Sequence, residues 1–133
     1  MDKVYRGGCD CGAVRYTASG RMRDVVICHC GQCRRTSGHV AAFTGTHKKF
    51  LSFDEDRGLK WYASSDHARR GFCGECGSSL FWDVLDGKGI GIAAGSLDTP
   101  TGLKTLAEIF VGGRSDYYEL TPGIRNFEGD YED

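Results

Sequence analysis

The sequence predicts an all-β domain with little helix. It has 20 glycines and only two prolines in 133 residues, and its apolar residues fall in short β-branched or aromatic segments bounded by Gly, Ser or Asp. No window of ten or more residues carries a helical period. Glycine at about twice its usual frequency suits many tight turns between short strands. In chain order, Ala13-Val14-Arg15-Tyr16-Thr17 is the first such segment, Val40-Ala41-Ala42-Phe43-Thr44 follows Ser37-Gly38, and Leu59-Lys60-Trp61-Tyr62 follows Gly58. Leu80-Phe81-Trp82-Asp83-Val84 and Ile90-Gly91-Ile92-Ala93 flank Asp86-Gly87, a pair that turns one strand back on the next. Ile109-Phe110-Val111 closes the series. Cys33 to Gly38 suits one helical turn, and Leu103 to Glu108 fits either state.

A chain this short has one core to build, so a single domain over residues 1–125 is expected. Residues 126–133, with Glu128, Asp130, Glu132 and Asp133, read as a solvated acidic tail, with Ile124 and Phe127 available to dock the start of that end. Seventeen basic residues against eighteen acidic ones give a net charge of -1, which excludes a global field for nucleic acid or an anionic membrane. No apolar run approaches a membrane span, and Met1-Asp2-Lys3-Val4-Tyr5-Arg6 lacks a signal peptide's apolar core. A cytoplasmic protein is expected, where thiols stay reduced and clustered cysteines point to metal or catalysis.

The seven cysteines fall into three groups with none left over: Cys9-x-Cys11, Cys28-x-Cys30-x-x-Cys33 and Cys73-x-x-Cys76. Zinc takes four protein ligands in a structural site and three plus an open position in a catalytic one. Seven divides naturally into four and three. A Cys-x-x-Cys turn aims two sulfurs at one ion while backbone N–H groups donate to them, and a glycine after the second cysteine eases the turn. Cys73-Gly74-Glu75-Cys76-Gly77 fits, and Cys11-Gly12 offers a similar arrangement. Cys9, Cys11, Cys73 and Cys76 then make a closed site that ties the first strand to the chain's middle. Cys28, Cys30 and Cys33 make a site of three sulfurs with a free fourth position.

Competing readings are one zinc with the other thiols free, and His29 as a ligand in place of a sulfur. Iron–sulfur spacing matches neither common ferredoxin pattern. Redox chemistry at Cys73 and Cys76 would leave Cys9 and Cys11 without their partners.

An ion already bound by three thiolates is a weak Lewis acid toward a carbonyl. It is better suited to capturing another thiol, which sheds its proton on coordination and becomes a nucleophile at neutral pH. A thiol such as glutathione also carries carboxylates that arginine clamps. Arg34 and Arg35 follow Cys33, and Arg69 and Arg70 precede Cys73; solvated surface charge is the competing reading of both pairs. His39, His47 and His67 lack ligand spacing and read as structural or surface groups, with His47, Lys48 and Lys49 able to border an anion. Trp61, Tyr62, Phe81 and Trp82 read as core.

Gly8-Cys9-Asp10-Cys11-Gly12-Ala13-Val14-Arg15-Tyr16, Cys28-His29-Cys30-Gly31-Gln32-Cys33-Arg34-Arg35-Thr36-Ser37-Gly38 and Phe72-Cys73-Gly74-Glu75-Cys76-Gly77-Ser78-Ser79-Leu80 resemble the glutathione-dependent formaldehyde-activating enzyme family, whose domain also occurs in centromere protein V. Gly95-Ser96-Leu97-Asp98-Thr99-Pro100 and Ile109-Phe110-Val111 resemble its later segments. The resemblance implies several small coiled β-sheets of the β-tent type and two zinc ions. Cys9, Cys11, Cys73 and Cys76 would hold the structural one, and Cys28, Cys30 and Cys33 the labile catalytic one. It further implies carbon–sulfur lyase chemistry, in which glutathione adds to formaldehyde to give S-hydroxymethylglutathione. Glu108 stands where many relatives are expected to carry histidine. The alternative function is a thiol carrier, or a non-catalytic zinc-stabilised binding module of the same fold.

Overall fold

The computed structural model describes residues 3–132; Met1 and Asp2 of the opening segment and Asp133 of the acidic tail lie outside the described residues. The described residues are mainly β, with one α-helix. In chain order the elements are β1 (Tyr5–Gly8), β2 (Arg15–Ala18), β3 (Val25–Cys28), α1 (Gly31–Ser37), β4 (Ala41–His47), β5 (Leu51–Glu55), β6 (Leu59–Ala63), β7 (Ala68–Cys73), β8 (Ser79–Val84), β9 (Gly89–Ala93), β10 (Thr105–Ile109) and β11 (Arg125–Asn126). No helix among the described residues is long and apolar enough to cross a membrane.

The chain divides into two compact units, one holding residues 3–23 with 44–102 and the other residues 24–43 with 103–132. Each unit carries one set of cysteines.

In the first unit, β1, β2 and β5 make a three-stranded antiparallel sheet in which Tyr16 faces Gly7 on one side and Phe53 on the other. Strands β6 to β9 form a second antiparallel ladder. The Asp86-Gly87 turn does connect β8 to β9, closed by Gly87 N–H on the Val84 carbonyl at 3.1 Å. Leu80 and Phe81 are both buried, a break in the two-residue period of β8 that coincides with the register shift between Gly71 and Phe72. Tyr16 and Phe81 meet edge to face at 5.3 Å between ring centres and are the two largest fully buried side chains. The Tyr16 hydroxyl is satisfied by Ser96 Oγ at 2.6 Å.

In the second unit, β10 runs parallel to both β3 and β11, while β3 pairs antiparallel with the start of β4. Cys28 ends β3 opposite Ile109 and Ala41. Helix α1 begins three residues later and is closed by Gly38 at φ 84, whose N–H bonds the Arg34 carbonyl at 2.9 Å. The segment expected as Ile109-Phe110-Val111 instead ends its strand at Ile109. Phe110 adopts a left-handed conformation (φ 52), and a 3-10 turn follows over Val111–Gly113. Leu103 to Glu108 resolves as the approach to β10 and most of that strand. The C-terminal end is held by backbone bonds as far as Gly129: Phe127 N–H to the Glu108 carbonyl at 3.0 Å, and Phe110 N–H to the Gly129 carbonyl at 2.8 Å. Beyond it, Asp130 and Glu132 are exposed.

Phe81 fills the centre of the first unit, so truncation leaves a cavity that close-packed neighbours fill only in part. Phe81→Ala is expected to cost about 3–5 kcal/mol in urea unfolding, whereas exposed Tyr62→Ala costs under about 1 kcal/mol.

Candidate metal centres

Two turns of the first unit bring Cys9, Cys11, Cys73 and Cys76 together, and all four sulfurs lie within 4.8 Å of one another. Cys9 follows β1 and Cys11 lies in the turn into β2; Cys73 ends β7 and Cys76 lies in the turn into β8. The chain folds this way because each second cysteine precedes a glycine in the left-handed region, Gly12 at φ 85 and Gly77 at φ 83. Gly77 N–H then closes the second turn on the Cys73 carbonyl at 2.8 Å. The sulfurs accept donors from the same turns: Val14 N–H to Cys9 Sγ at 3.2 Å, Glu75 N–H to Cys73 Sγ at 3.4 Å, and a Cys76 Sγ to Ser78 Oγ contact at 3.2 Å. Gly58 packs against this pocket, where a Cβ would lie 2.9 Å from Cys73 Sγ.

Sulfurs at the corners of a tetrahedron with bonds of about 2.3 Å stand about 3.8 Å apart. Cys9 and Cys11 sulfurs are 3.7 Å apart, and those of Cys11 and Cys73 are 3.8 Å apart. None of the seven cysteines is in a disulfide. The donor set therefore fits one tetrahedral ion.

The second unit gathers Cys28, Cys30 and Cys33, whose sulfurs also lie within 4.8 Å of one another. Cys30 is the N-cap of α1, with extended backbone at ψ 159, and its sulfur accepts the Cys33 N–H at 3.3 Å. A cysteine here replaces the usual serine or aspartate oxygen, so one sulfur both caps the helix and faces the cluster. No further His, Cys, Asp or Glu among the described residues joins these three.

Over residues 4–113 the sequence matches the family described as glutathione-dependent formaldehyde-activating enzyme. The chain belongs to that family. A Schizosaccharomyces pombe protein named as an uncharacterised lyase is 38% identical over 85 residues, covering 63% of this chain and 61% of the relative. The match thus spans less than two thirds of that relative's length. A Rhodobacter sphaeroides crystal structure shares the fold with a TM-score of 0.60 at 20% identity, over 92% of this chain and 98% of the other.

In this member of the formaldehyde-activating family, the thiols of the four-thiol cluster shift one another's ionisation in opposite directions, so that some are held down while others are pushed up. Cys76 is held down to about 5 by the Ser78 hydroxyl and N–H and by the Cys11 N–H. Cys11 is pushed up to about 12: the Ala13 N–H pulls it down, but lost solvation and the three neighbouring sulfurs outweigh that pull. Cys28 is raised further, first by sharing a hydrogen with Cys33 and then by burial. Packed sulfurs shed their protons together only when a cation takes up the charge.

Of the other predicted residues, Arg34 is half-buried, with a buried Nε that finds no hydrogen-bond partner, whereas Arg35 is exposed. Arg69 is committed elsewhere, bonding Asp83 at 2.8 Å and stacking 3.8 Å over the Trp61 ring, and Arg70 is buried. His29 stays out of the sulfur cluster, with Nε2 2.8 Å from Glu108 Oε1 and Nδ1 bonded to the Tyr118 hydroxyl. His39 bonds the Tyr117 hydroxyl, and His47 accepts the Lys49 N–H at 3.2 Å. Sequence reasoning noted Glu108 only as a departure from relatives and overlooked Tyr118. A lone acid in the apolar stretch Leu106-Ala107-Glu108-Ile109-Phe110-Val111 was the available signal.

Metal affinity is expected to rise with pH. At pH 7 the Cys11 proton must be displaced while Cys76 is already ionised; as pH falls through about 5, Cys76 also takes a proton and affinity falls more steeply. Chelator competition at pH 4.5, 5.5 and 7.5 measures this, and a flat profile would contradict it.

Proposed function

We propose that the chain is a zinc-dependent carbon–sulfur lyase-type enzyme that binds glutathione or a similar thiol and adds it to formaldehyde or another small aldehyde. Cys9, Cys11, Cys73 and Cys76 hold a structural zinc, and Cys28, Cys30 and Cys33 hold the catalytic one. The observation that carries this reading is the three-sulfur cluster, which no fourth His, Cys, Asp or Glu among the described residues completes. Family membership supports it. A reducing, cytoplasmic setting suits seven cysteines outside any disulfide.

Zinc bound there supplies the positive charge that lets a fourth, substrate thiol lose its proton at neutral pH. The protein's own groups then do the positioning. Cys28, Cys30 and Cys33 would hold the ion through three sulfurs, and the Cys33 N–H steadies the Cys30 sulfur. The guanidinium of half-buried Arg34 offers donors to a substrate carboxylate, with Arg35 exposed next to it in sequence. The deprotonated sulfur attacks the aldehyde carbon and the C–S bond forms. The carbonyl π pair moves to oxygen, which takes a proton from solvent and balances the one the thiol released.

Adduct formation from glutathione and formaldehyde, followed against the uncatalysed reaction, tests the assignment. The zinc-loaded protein is expected to exceed background by at least about tenfold, and Cys33→Ser is expected to return to background while keeping its fold and one zinc. A wild-type rate equal to background, with glutathione still bound, would replace the enzyme reading with a carrier.

A further inference from the structure

The stretch Cys28-His29-Cys30 carries two sulfurs of the three-thiol cluster and, between them, an imidazole used for something else. His29 is 1% exposed and Glu108 3% exposed, so a buried carboxylate and a buried ring face one another at 2.8 Å. The second carboxylate oxygen, Oε2, accepts the Thr121 N–H at 3.0 Å. With Glu108 accepting at both oxygens, we assign the ring proton to Nε2, which leaves Nδ1 to accept from the Tyr118 hydroxyl. The Tyr118 ring also stacks on the imidazole, 5.5 Å between centres. Every polar atom of the His29 side chain is thereby fixed by residues outside the ligand loop.

The backbone around it is fixed as well. Glu108 pairs with Ile27 in the β10–β3 ladder, the next pair is Ile109 with Cys28, and His29 N–H donates to the Ile109 carbonyl at 3.0 Å. A buried carboxylate–imidazole pair is a poor way to gain stability, because desolvating the two groups offsets most of what their hydrogen bond returns. What such a pair provides is a fixed orientation.

We propose that Glu108 and Tyr118 are positioning residues which, by clamping the His29 ring, hold the Cys28 and Cys30 sulfurs in register with Cys33 and so set the metal affinity of the three-thiol site. This rests on the reading of that cluster as a metal site. The clamp bears on one cluster and leaves the four-thiol site alone.

Cobalt(II) titration followed by thiolate charge-transfer and d–d absorption tests it, with Cys33→Ser marking the bands of the three-thiol site by their loss. Glu108→Ala is expected to weaken that equivalent by about tenfold or more, while the four-thiol equivalent stays within about threefold. Glu108→Gln is expected to remain near wild type. Its amide can accept from Thr121 and donate to Nε2, with the ring moving its proton to Nδ1 and donating to Tyr118. Tyr118→Phe removes one bond of the clamp and falls between the two. A normal three-thiol equivalent in Glu108→Ala, or equal weakening of both equivalents, overturns the clamp. If Glu108→Ala does not fold, an unchanged three-thiol equivalent in Tyr118→Phe overturns it instead. A wild-type chain that takes up a single equivalent overturns the two-metal reading itself, and the clamp with it.

Discussion

Seven thiols in two tight groups confront the same electrostatic constraint: sulfurs within 4.8 Å of one another cannot all carry negative charge unless a cation shares the space. The opposed shifts of Cys76 and Cys11 express that constraint within one cluster, the first held down by donors from its own turn and the second pushed up by its sulfur neighbours. The surrounding structure is organised to bring these groups to that distance. Cys11 and Cys73 are 62 residues apart in sequence and 3.8 Å apart at sulfur. Closing so long a loop with an ion restricts the unfolded chain as a cross-link does, and metal binding is coupled to folding.

The two clusters meet the constraint differently. In the four-thiol group, every sulfur comes from a turn at a strand end and meets a donor from those same turns. In the three-thiol group the ligands run from a strand end through an extended N-cap into the first turn of a short helix. That path places three sulfurs in a span of six residues and lets the intervening His29 point to Glu108 and Tyr118. The first arrangement is complete in protein ligands. The second supplies three sulfurs, one fewer than a closed site needs, which is why we propose substrate chemistry there.

Much of this was legible in the sequence because it is local. Cysteine spacing and the glycines after Cys11 and Cys76 define turns, and Asp86-Gly87 defines a hairpin, from adjacent residues alone. Strand β7 escaped notice because Arg69-Arg70-Gly71 interrupts its apolar pattern, and the burial of Arg70 and Gly71 depends on pairing with β6 and β8. Helix α1 starts two residues ahead of the expected turn because a sulfur serves as its cap. Phe110 reads as strand by composition yet ends one, since no propensity rule places a large aromatic residue at positive φ. The partners of Glu108 are Thr121 and His29, 13 and 79 residues away, so the buried clamp has no local signature.

The central claim is that seven sulfurs serve two ions, four closing one site and three leaving a place for a thiol. X-ray absorption at the zinc edge on the fully loaded protein, with and without glutathione, tests it most directly. Seven sulfurs shared by two zincs are expected, with a light atom completing one shell and an eighth sulfur replacing that atom when glutathione is added. A sulfur count that does not change with glutathione, or a single zinc with four sulfurs and three cysteines unbound, would contradict it.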